Sequence, residues 1–359
     1  MNKKIKLTYV ISEMKIGGAE KLLEDILERL DKNVYDIYLI VLGEKIENEL
    51  YFNMKKYVKN IFFCNKVGKE FFKTSFKIIK ILRKIKTDVI HIHTSISHIV
   101  MLGIILNRVN SRFYTIHSMP EFDSPGIKKH INSVLFNKFN LKAIAISKTI
   151  EMRSKEYFNT SNIICIENGI DTSKFNGDDI INRKPNNILH VGRFVDVKNQ
   201  EILIKSVSKI KEEFKLTFVG DGETLKKNMD LTNKLCLNEK IKFLGYRNDI
   251  ANIMNQNSIF VLCSKVEGAP ISIVEAMSNG MCIIATNVGG ISDFIENGKE
   301  GFLLNDNIEE SLREKIEYLI KNKEEIVKLG KAAKKKATMY DINVCVKKHD
   351  NLYRIFKGE

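Results

Sequence analysis

Two glutamates, Glu267 and Glu275, stand eight positions apart beside a glycine–proline turn. The preceding segment, 258–264, is apolar and β-prone, and an apolar helical run begins near Ile271. A strand, a sharp turn and a helix leave backbone N–H groups at the positive end of the helix dipole, which favours anionic ligands. Carboxylates beside such a site suit sugar hydroxyls, because they accept strong hydrogen bonds. The spacing alone is weak, since a chain with 44 acidic residues contains such pairs as solvated helix charges.

Two cations follow another predicted strand, in the segment 190–199. Gly192, Arg193 and Lys198 are expected at the carboxyl end of that strand, where ligands bind in parallel sheets. Fixed cations there stabilise negative charge that develops on a leaving group. Taken in isolation, the alternative of two ordinary surface cations is favoured, so their interpretation depends on the rest of the chain.

In the first half, a glycine pair follows one predicted strand, and a histidine is the last residue of another. Gly17 and Gly18 let backbone approach a ligand closely, although a plain strand-to-helix turn has the same residues. The loop lacks the third glycine of a dinucleotide fingerprint and the Gly-Lys-Ser/Thr of a Walker loop. His117 is well placed for a ligand, but a lone histidine is more often structural. His91 and His93 alternate on an apolar strand and are interpreted as structural.

Length and composition restrict the class of protein. The chain has 359 residues, 44% hydrophobic and 28% charged, which is typical of a soluble protein with two cores. No apolar stretch approaches the roughly 20 residues that span a bilayer, and the richest, 98–106, is expected to be a buried helix. The N-terminal apolar run is too short for a secretory signal, so we expect a cytoplasmic protein. Six scattered cysteines predict reduced core thiols.

The net charge of +14 concerns partners rather than fold. Anionic lipid and a phosphorylated substrate both suit it, whereas nucleic acid is disfavoured because no basic patch is interleaved with aromatics. Segment 66–86 predicts an amphipathic helix, which is either an ordinary outer helix or a surface that docks on anionic membrane. Its basic and apolar stripes are formed by Lys73, Lys77, Lys80, Lys84, Phe72, Phe76, Ile79 and Leu82.

The elements that position these residues alternate between strands and helices, which predicts an α/β protein with parallel sheets. The predicted strands are Lys6–Ser12, Tyr35–Leu42, Val58–Cys64, Asp88–Thr94, Arg112–His117, Lys142–Ile146, Asn187–Val191, Lys215–Gly220, Lys240–Gly245, Ser258–Cys263 and Met281–Thr286. These strands are too many for one sheet of ordinary size, so two doubly wound domains are expected. The polar segment 171–186 marks their boundary and gives domains 1–170 and 171–340, followed by a terminal helix, 341–359.

The blocks 192–198 and 267–301 resemble the donor-binding segments of retaining GT-B glycosyltransferases of family GT4. The resemblance implies two Rossmann-like domains facing a cleft, with the terminal helix crossing back to the first domain. It implies a donor site formed by Gly17, Gly18, Arg193, Lys198, Tyr246, Arg247, Glu267, Gly268, Ala269, Pro270, Ile271, Ser272 and Glu275. The chain departs from the family pattern at Ser118, at Met281–Cys282 and at Ser292–Asp293, which leaves the sugar preference open.

The resemblance also assigns roles to these residues. Arg193, Lys198 and the amides near Ile271 are expected to hold a diphosphate. Glu267 is expected to bind hydroxyls of the donor sugar, and Glu275 those of the ribose. Further contacts, to the sugar and beside the base, are expected from His117 and from the backbone at Tyr246 and Arg247. The catalytic candidates are therefore His117, Arg193, Lys198 and Glu267.

The activity implied by the resemblance is transfer of a sugar from a nucleotide-sugar, expected to be UDP-linked, to a hydroxyl. The acceptor is expected to be a saccharide or a lipid-linked molecule of cell-surface polysaccharide or glycolipid synthesis. No Asp-x-Asp motif lies beside the candidates, so neither a metal nor another cofactor is expected. Two alternatives stay open: an epimerase or hydrolase of nucleotide-sugars with the same fold, and a non-catalytic basic protein that binds lipid or nucleic acid. Peripheral contact with the inner face of the plasma membrane also stays open.

Overall fold

The protein is described by a computed structural model covering residues 3–15, 17–66, 71–177 and 180–357, with side chains through Ile355. It divides into two compact units, the first formed by Met1–Gly169 with Ile342–Glu359 and the second by Ile170–Asp341. Each division lies one residue from the boundary expected from the sequence. The two units are described separately below.

The first unit contains a seven-stranded sheet in which neighbouring strands are parallel. Its strands are β1 Ile5–Ile11, β2 Tyr35–Val41, β3 Asn60–Phe63, β4 Val89–His93, β5 Ser111–Ile116, β6 Lys142–Ala145 and β7 Ile163–Cys165. The strands lie in the order β3-β2-β1-β4-β5-β6-β7. Strand numbers fall toward β1 and then rise from β4, so the order reverses between β1 and β4. In open parallel sheets, ligands bind beyond the carboxyl ends of the strands near such a reversal.

Helices connect these strands. They are α1 Gly18–Arg29, α2 Glu49–Tyr57, α3 Phe71–Ile85, α4 Ser97–Leu106, α5 Pro120–Asp123, α6 Ile127–Lys138 and α7 Lys148–Phe158. Side chains cap two of them: Asn48 accepts a hydrogen bond from the backbone N–H of Tyr51 in α2, and Ser147 accepts one from Ile150 in α7. Such caps satisfy amide groups that have no partner within the helix, and they fix where the helix begins.

The second unit contains a six-stranded parallel sheet in the order β10-β9-β8-β11-β12-β13. Its strands are β8 Asn187–Val191, β9 Lys215–Val219, β10 Ile241–Phe243, β11 Ile259–Leu262, β12 Cys282–Thr286 and β13 Gly301–Leu304. Its helices are α8 Gln200–Ser208, α9 Leu225–Lys234, α10 Ile250–Asn255, α11 Ile271–Ser278, α12 Ile291–Phe294, α13 Ile308–Lys321 and α14 Lys323–Ala337. The order of the strands reverses between β8 and β11. Because the strands are parallel, the loops after these two strands lie at one edge of the sheet.

All eleven strands predicted from the sequence are present, and the sequence missed β7 and β13. These strands have three and four residues, too few to show an alternating pattern. β13 also begins at Gly301, a residue that reads as a turn signal. The structure requires glycine there, because a Cβ atom would lie 2.2 Å from the carbonyl oxygen of Ile283 on the neighbouring strand.

Two helices differ in part from the sequence prediction. The segment 98–106 is helical, but the expectation that it is buried is wrong for Leu102, Ile105 and Leu106, which are exposed on α4. In α3 the predicted apolar stripe is also divided. Ile79 and Leu82 are buried, whereas Phe72 is 82% exposed and Phe76 is 61% exposed. Residues 67–70 of the predicted helix lie outside the described residues.

The cause of this exposure is the way α3 packs on α4. The side of α3 that meets α4 includes Ser75, whose hydroxyl donates to the carbonyl oxygen of Ile99 at 2.9 Å. Gly103 allows the two helices to approach closely, since a Cβ atom there would lie 2.9 Å from Ile78. Ser75, Ile78 and Leu82 of α3, rather than the phenylalanines, therefore lie at the contact with α4.

The last helix, α15 Ile342–Lys357, belongs to the first unit, as predicted. The hydroxyl of its fully buried Tyr353 lies 2.9 Å from the hydroxyl of Tyr9 and 2.7 Å from Nδ1 of His91. The ring of His349 stacks on that of His91, with centroids 5.7 Å apart. The core of the first unit therefore contains a hydrogen-bonded cluster of aromatic and imidazole rings that the last helix completes.

The six cysteines are free thiols, but the expectation that they lie in the core is wrong for Cys236, which is exposed, and for Cys165, which is half-buried. Cys263 and Cys282 are buried in the second unit, where desolvation raises their pKa values and keeps them protonated. Within the described ranges, each helix is too short or too polar to cross a membrane.

Acid is expected to destabilise the first unit through His349. Burial lowers the pKa of the His349 ring to about 4, from its ordinary value of 6.5. Between these values the unfolded chain binds the proton and the folded chain does not, so the stabilisation is complete above about pH 6.5 and is lost as the pH falls. Urea unfolding should show that His349→Asn loses about 3 kcal/mol less stability than the wild type between pH 7 and pH 4.

The exposed His130 offers the matched control, because His130→Asn leaves the buried rings in place. Equal losses of stability in the wild type and in His349→Asn would contradict the expectation.

Candidate functional site

Glu267 follows β11 and is almost fully buried. Its Oε1 atom accepts hydrogen bonds from Nζ of Lys198 and from the hydroxyl of Ser264, both at 2.5 Å. A buried carboxylate is costly unless it is paired and hydrogen-bonded, and this one is both. The structure therefore brings together two of the residues that the sequence singled out from segments 69 positions apart.

The loop after β8 carries Lys198 and is fixed by two buried side chains. Gln200 donates through Nε2 to the carbonyl oxygen of Arg193 at 2.8 Å and lies 3.3 Å from Nε2 of His190. Nδ1 of His190 donates to the carbonyl oxygen of Val261 at 2.9 Å, so its Nε2 is the acceptor for Gln200. Burial lowers the pKa of His190 to about 4, which keeps the ring neutral as this arrangement requires.

Arg193 is exposed at the start of the same loop. Among the described residues its guanidinium has no hydrogen-bond or ion-pair partner. The preceding residue, Gly192, packs against Lys198, since a Cβ atom at Gly192 would lie 3.9 Å from Cδ of the lysine. The edge of the second sheet thus presents one guanidinium without a protein partner close to an ammonium that is paired with Glu267.

The turn after Glu267 is held by a glycine pair from the loop after β12. The backbone N–H of Gly290 donates to the carbonyl oxygen of Gly268 at 3.1 Å. Gly289 has a φ of +57°, and a Cβ atom there would lie 1.8 Å from the carbonyl oxygen of Glu267. Only glycine fits such a contact, so the pair determines the position of the Glu267 backbone.

Helix α11 begins directly after this turn. Pro270 is its N-cap residue and no side chain caps it, and the first turn holds no acidic residue. The N–H of Ile273 donates to the carbonyl oxygen of Pro270 at 3.1 Å, which leaves the amides of Ile271 and Ser272 outside the hydrogen bonds of the helix. These amides follow Glu267 by four and five positions in the sequence, and their contact with a diphosphate stays a prediction. Glu275 lies half-buried one turn further along α11.

Two candidates follow β10. Tyr246 is exposed and follows Gly245, whose φ is +64°. Arg247 forms a two-point contact with Asp249, with Nε 2.8 Å from Oδ1 and Nη2 2.7 Å from Oδ2. The side chain of Arg247 is therefore occupied by Asp249. The backbone of this loop remains the predicted contact for the nucleotide base.

In the first unit, Gly17 and Gly18 form the start of α1 after β1. Gly17 is the N-cap residue, and its carbonyl oxygen accepts from the N–H of Lys21 at 2.9 Å. A Cβ atom at Gly17 would lie 2.6 Å from a carboxylate oxygen of Glu20, so the acidic side chain folds over the loop. Ile16, which precedes the pair, lies outside the described residues.

His117 directly follows β5, as predicted, and its ring is linked to a second histidine. Nε2 of His117 lies 3.0 Å from Nδ1 of His93, and the ring centroids are 5.0 Å apart. Burial lowers the pKa of His117 to about 4, with a further contribution from His349, so the ring is neutral near pH 7.

Sequence reasoning missed four residues that support the candidates: His93, His190, Gln200 and Ser264. Ser264 precedes Glu267 by three positions in a loop, where no helix or strand pattern predicts a contact between two side chains. His93 was interpreted as structural. It lies near the end of the predicted strand that precedes the strand of His117, and this position was the usable signal. The other two act through buried contacts that leave no pattern in the sequence.

Two family models match this chain. Residues 16–174 match the model of Glycosyltransferase Family 4, and residues 172–336 match that of Glycosyl transferases group 1. The capsular polysaccharide biosynthesis glycosyltransferase CapH of Staphylococcus aureus is 26% identical over 97% of this chain and 98% of its own length.

Two further similarities concern an enzyme and a solved structure. The UDP-Gal:alpha-D-GlcNAc-diphosphoundecaprenol alpha-1,3-galactosyltransferase of Escherichia coli is 27% identical over 84% of both chains. The crystal structure of HepE from Anabaena with UDP and glucose superposes with a TM-score of 0.82 at 21% identity, over 97% of this chain and 98% of HepE. The structural likeness confirms the predicted fold of two Rossmann-like α/β domains.

The contact between Gly289 and Glu267 generates a test on stability. Gly289→Ala should lower the free energy of unfolding by about 1–2 kcal/mol through left-handed backbone strain. The collision of the new methyl group with the Glu267 backbone should add about 1–3 kcal/mol. Gly298→Ala is the matched control, because Gly298 also has a positive φ, of +80°, but a Cβ atom there meets nothing within 4 Å. Equal losses in urea unfolding of the two variants would contradict the proposed packing.

Proposed function

This chain belongs to glycosyltransferase family 4, and we propose that it transfers a sugar from a UDP-linked donor to a hydroxyl with retention of the anomeric configuration. The acceptor in this proposal is a saccharide or a lipid-linked molecule of cell-surface polysaccharide or glycolipid synthesis. The named activities of the Staphylococcus aureus and Escherichia coli relatives support that acceptor class. The UDP and glucose in the HepE structure support the donor.

The observation that carries the proposal is the contact between Lys198 and Glu267 at 2.5 Å, near an exposed Arg193. The leaving diphosphate gains negative charge during transfer, and the two cations stabilise that charge as it forms. Glu267 has a second carboxylate oxygen that accepts hydroxyl groups of the sugar. The amides of Ile271 and Ser272 add hydrogen-bond donors for phosphate oxygens.

The other assignments carry over from the resemblance as part of the proposal. Glu275 binds the ribose hydroxyls, the backbone at Tyr246 and Arg247 lies beside the base, and Gly17 with Gly18 approaches the substrate. His117 contacts the donor sugar. The reaction then follows a same-face route in which the leaving phosphate accepts the proton of the acceptor hydroxyl.

The reaction is proposed to need no metal ion. Arg193 and Lys198 supply the positive charge that a divalent cation would supply to the diphosphate. Transfer should therefore persist in EDTA.

Transfer should be measured with a panel of UDP- and GDP-sugars, with and without saccharide and lipid-linked acceptors, in EDTA. UDP release that requires an acceptor supports the proposal. Lys198→Met should lower kcat/KM roughly 10²- to 10³-fold, because a preorganised cation is lost where charge develops. The control variant is Lys265→Met, which should retain activity. Lys265 is exposed, and it is its backbone that hydrogen-bonds to the loop carrying Lys198.

Two outcomes would contradict the proposal. Donor turnover at the same rate without any acceptor would favour an epimerase or hydrolase. Absence of UDP binding together with salt-sensitive binding to oligonucleotides would favour a non-catalytic basic protein.

We also propose a peripheral contact with the inner face of the plasma membrane, made by the neighbouring helices α3 and α4. Phe72, Phe76, Leu102, Ile105 and Leu106 are exposed apolar side chains on these helices. Lys73, Lys80 and Lys84 are exposed on α3, and basic side chains beside exposed apolar ones suit an anionic bilayer surface. A lipid-linked acceptor would be reached from such a surface.

Sedimentation with vesicles that contain phosphatidylglycerol tests this contact. The double change Phe72→Ser and Phe76→Ser should release the protein from the vesicles, because it removes two large apolar groups from the interface. Phe52→Ser, on α2 of the same unit, is the control, since Phe52 is also exposed but lies on another helix. Unchanged sedimentation of the double variant would exclude this surface.

A further inference from the structure

The histidine pair at the carboxyl edge of the first sheet has a defined geometry. His93 is the last residue of β4 and pairs in register with Thr115 of β5, so His117 lies two residues beyond that pair on the neighbouring strand. Nδ1 of His93 and Nε2 of His117 are 3.0 Å apart, a hydrogen-bond distance. One of the two nitrogens therefore carries a proton and the other accepts it.

The surroundings of His93 decide which nitrogen is the donor. Its ring is fully enclosed, with the ring of His91 4.4 Å and that of Tyr9 5.7 Å away by centroids. Nε2 of His93 is buried and has no hydrogen-bond partner among the described residues. A buried N–H without a partner is rarer and costlier than a bare lone pair. The proton of the neutral ring therefore sits on Nδ1, facing His117.

The consequence concerns the outer ring. If Nε2 of His117 accepts from His93, the proton of the neutral His117 ring must sit on its own Nδ1. Nδ1 has no partner within the described part of the chain, and His117 as a residue is half-buried. Nδ1–H is thus the one polar group of this ring that remains to meet a ligand.

We propose that His93 is a positioning residue that fixes the tautomer of His117, so that His117 meets the donor substrate as a hydrogen-bond donor through Nδ1. The part of this inference that concerns the substrate rests on the proposed function, whereas the tautomer does not. A sugar hydroxyl or a phosphate oxygen accepts from such an N–H. A histidine with the opposite tautomer would present a lone pair to the same groups.

The loop after His117 is fixed independently. The carboxyl group of Asp123, six residues after His117, is buried and accepts from the hydroxyls of Tyr114 at 2.5 Å and Ser124 at 2.8 Å. Ser124 in turn accepts from Nδ2 of Asn132 at 2.7 Å. The loop after β5 is therefore held by a buried carboxyl network, and the ring of His117 is held by His93. Such double support matches what a precise substrate contact needs.

Nitrogen-15 NMR of histidine-labelled protein tests the tautomer without any substrate, with His117→Gln identifying the signals of His117. The wild type should show His117 protonated at Nδ1 with Nε2 as a hydrogen-bond acceptor. In His93→Leu the acceptor contact is lost, and protonation at Nε2 should appear. In His93→Asn the amide nitrogen occupies the place of Nδ1, so the wild-type tautomer should return.

Rates and binding complete the test. His93→Leu should lower kcat for transfer roughly tenfold through the loss of one oriented hydrogen bond, and His93→Asn should recover most of it. The Kd for UDP should stay within about twofold in both, because Arg193 and Lys198 belong to the other unit. His91→Asn is the matched control: His91 lies on the same strand and contacts Tyr353 and Thr115, so its loss should leave the His117 tautomer unchanged.

The outcomes separate the two proposals. A wild-type His117 protonated at Nε2, or a His117 signal unchanged in His93→Leu, overturns the role of His93. Equal rate losses in His93→Leu and His93→Asn do the same, because they indicate a packing effect. A wild type that shows the expected tautomer but transfers no sugar contradicts the proposed function and leaves the tautomer in place.

Discussion

The second unit depends on the contact of a carboxylate with an ammonium at the edge of a parallel sheet. Lys198 and Glu267 come from loops after β8 and β11, and these loops meet because the strand order reverses between them. Neither charge could be buried there alone at an acceptable cost in free energy. The surrounding residues serve this contact: Ser264 binds the carboxylate, and Gln200 holds the backbone of the lysine loop. The guanidinium of Arg193, in the loop that carries Lys198, has no protein partner among the described residues.

The first unit differs, because neutral rings support the carboxyl edge of its sheet. Burial lowers the pKa of His91, His93 and His349, so none of them places a charge behind His117. His93 supports His117 through a hydrogen bond, and the rings of His91 and Tyr9 pack against His93 with centroids 4.4 and 5.7 Å away. In the proposed reaction, the second unit supplies positive charge for the diphosphate and the first unit supplies an oriented hydrogen-bond donor.

The sequence predicted what depends on local pattern. Alternation of β-branched runs with helices located eleven strands, and the segment around Glu267 indicated a strand, a turn and a helix, all of which are present. It could not predict that Phe72 would be exposed, because an amphipathic stripe does not say which of two adjacent faces meets the neighbouring helix. Nor could it assign Gln200, whose role arises from a buried contact with backbone. Residues that act through a second residue leave no periodic signal.

The placement of α15 has a consequence for biosynthesis. Residues 5–169 are synthesised before the second unit, yet their core stays open at Tyr9 and His91 until Tyr353 of α15 has been added. The second unit is continuous in sequence, from Ile170 to Asp341, so it is synthesised before α15. Vectorial synthesis thus inverts the usual order, in which the N-terminal domain folds first. A chain released before Tyr353 is added holds a complete second unit and an unfinished first unit.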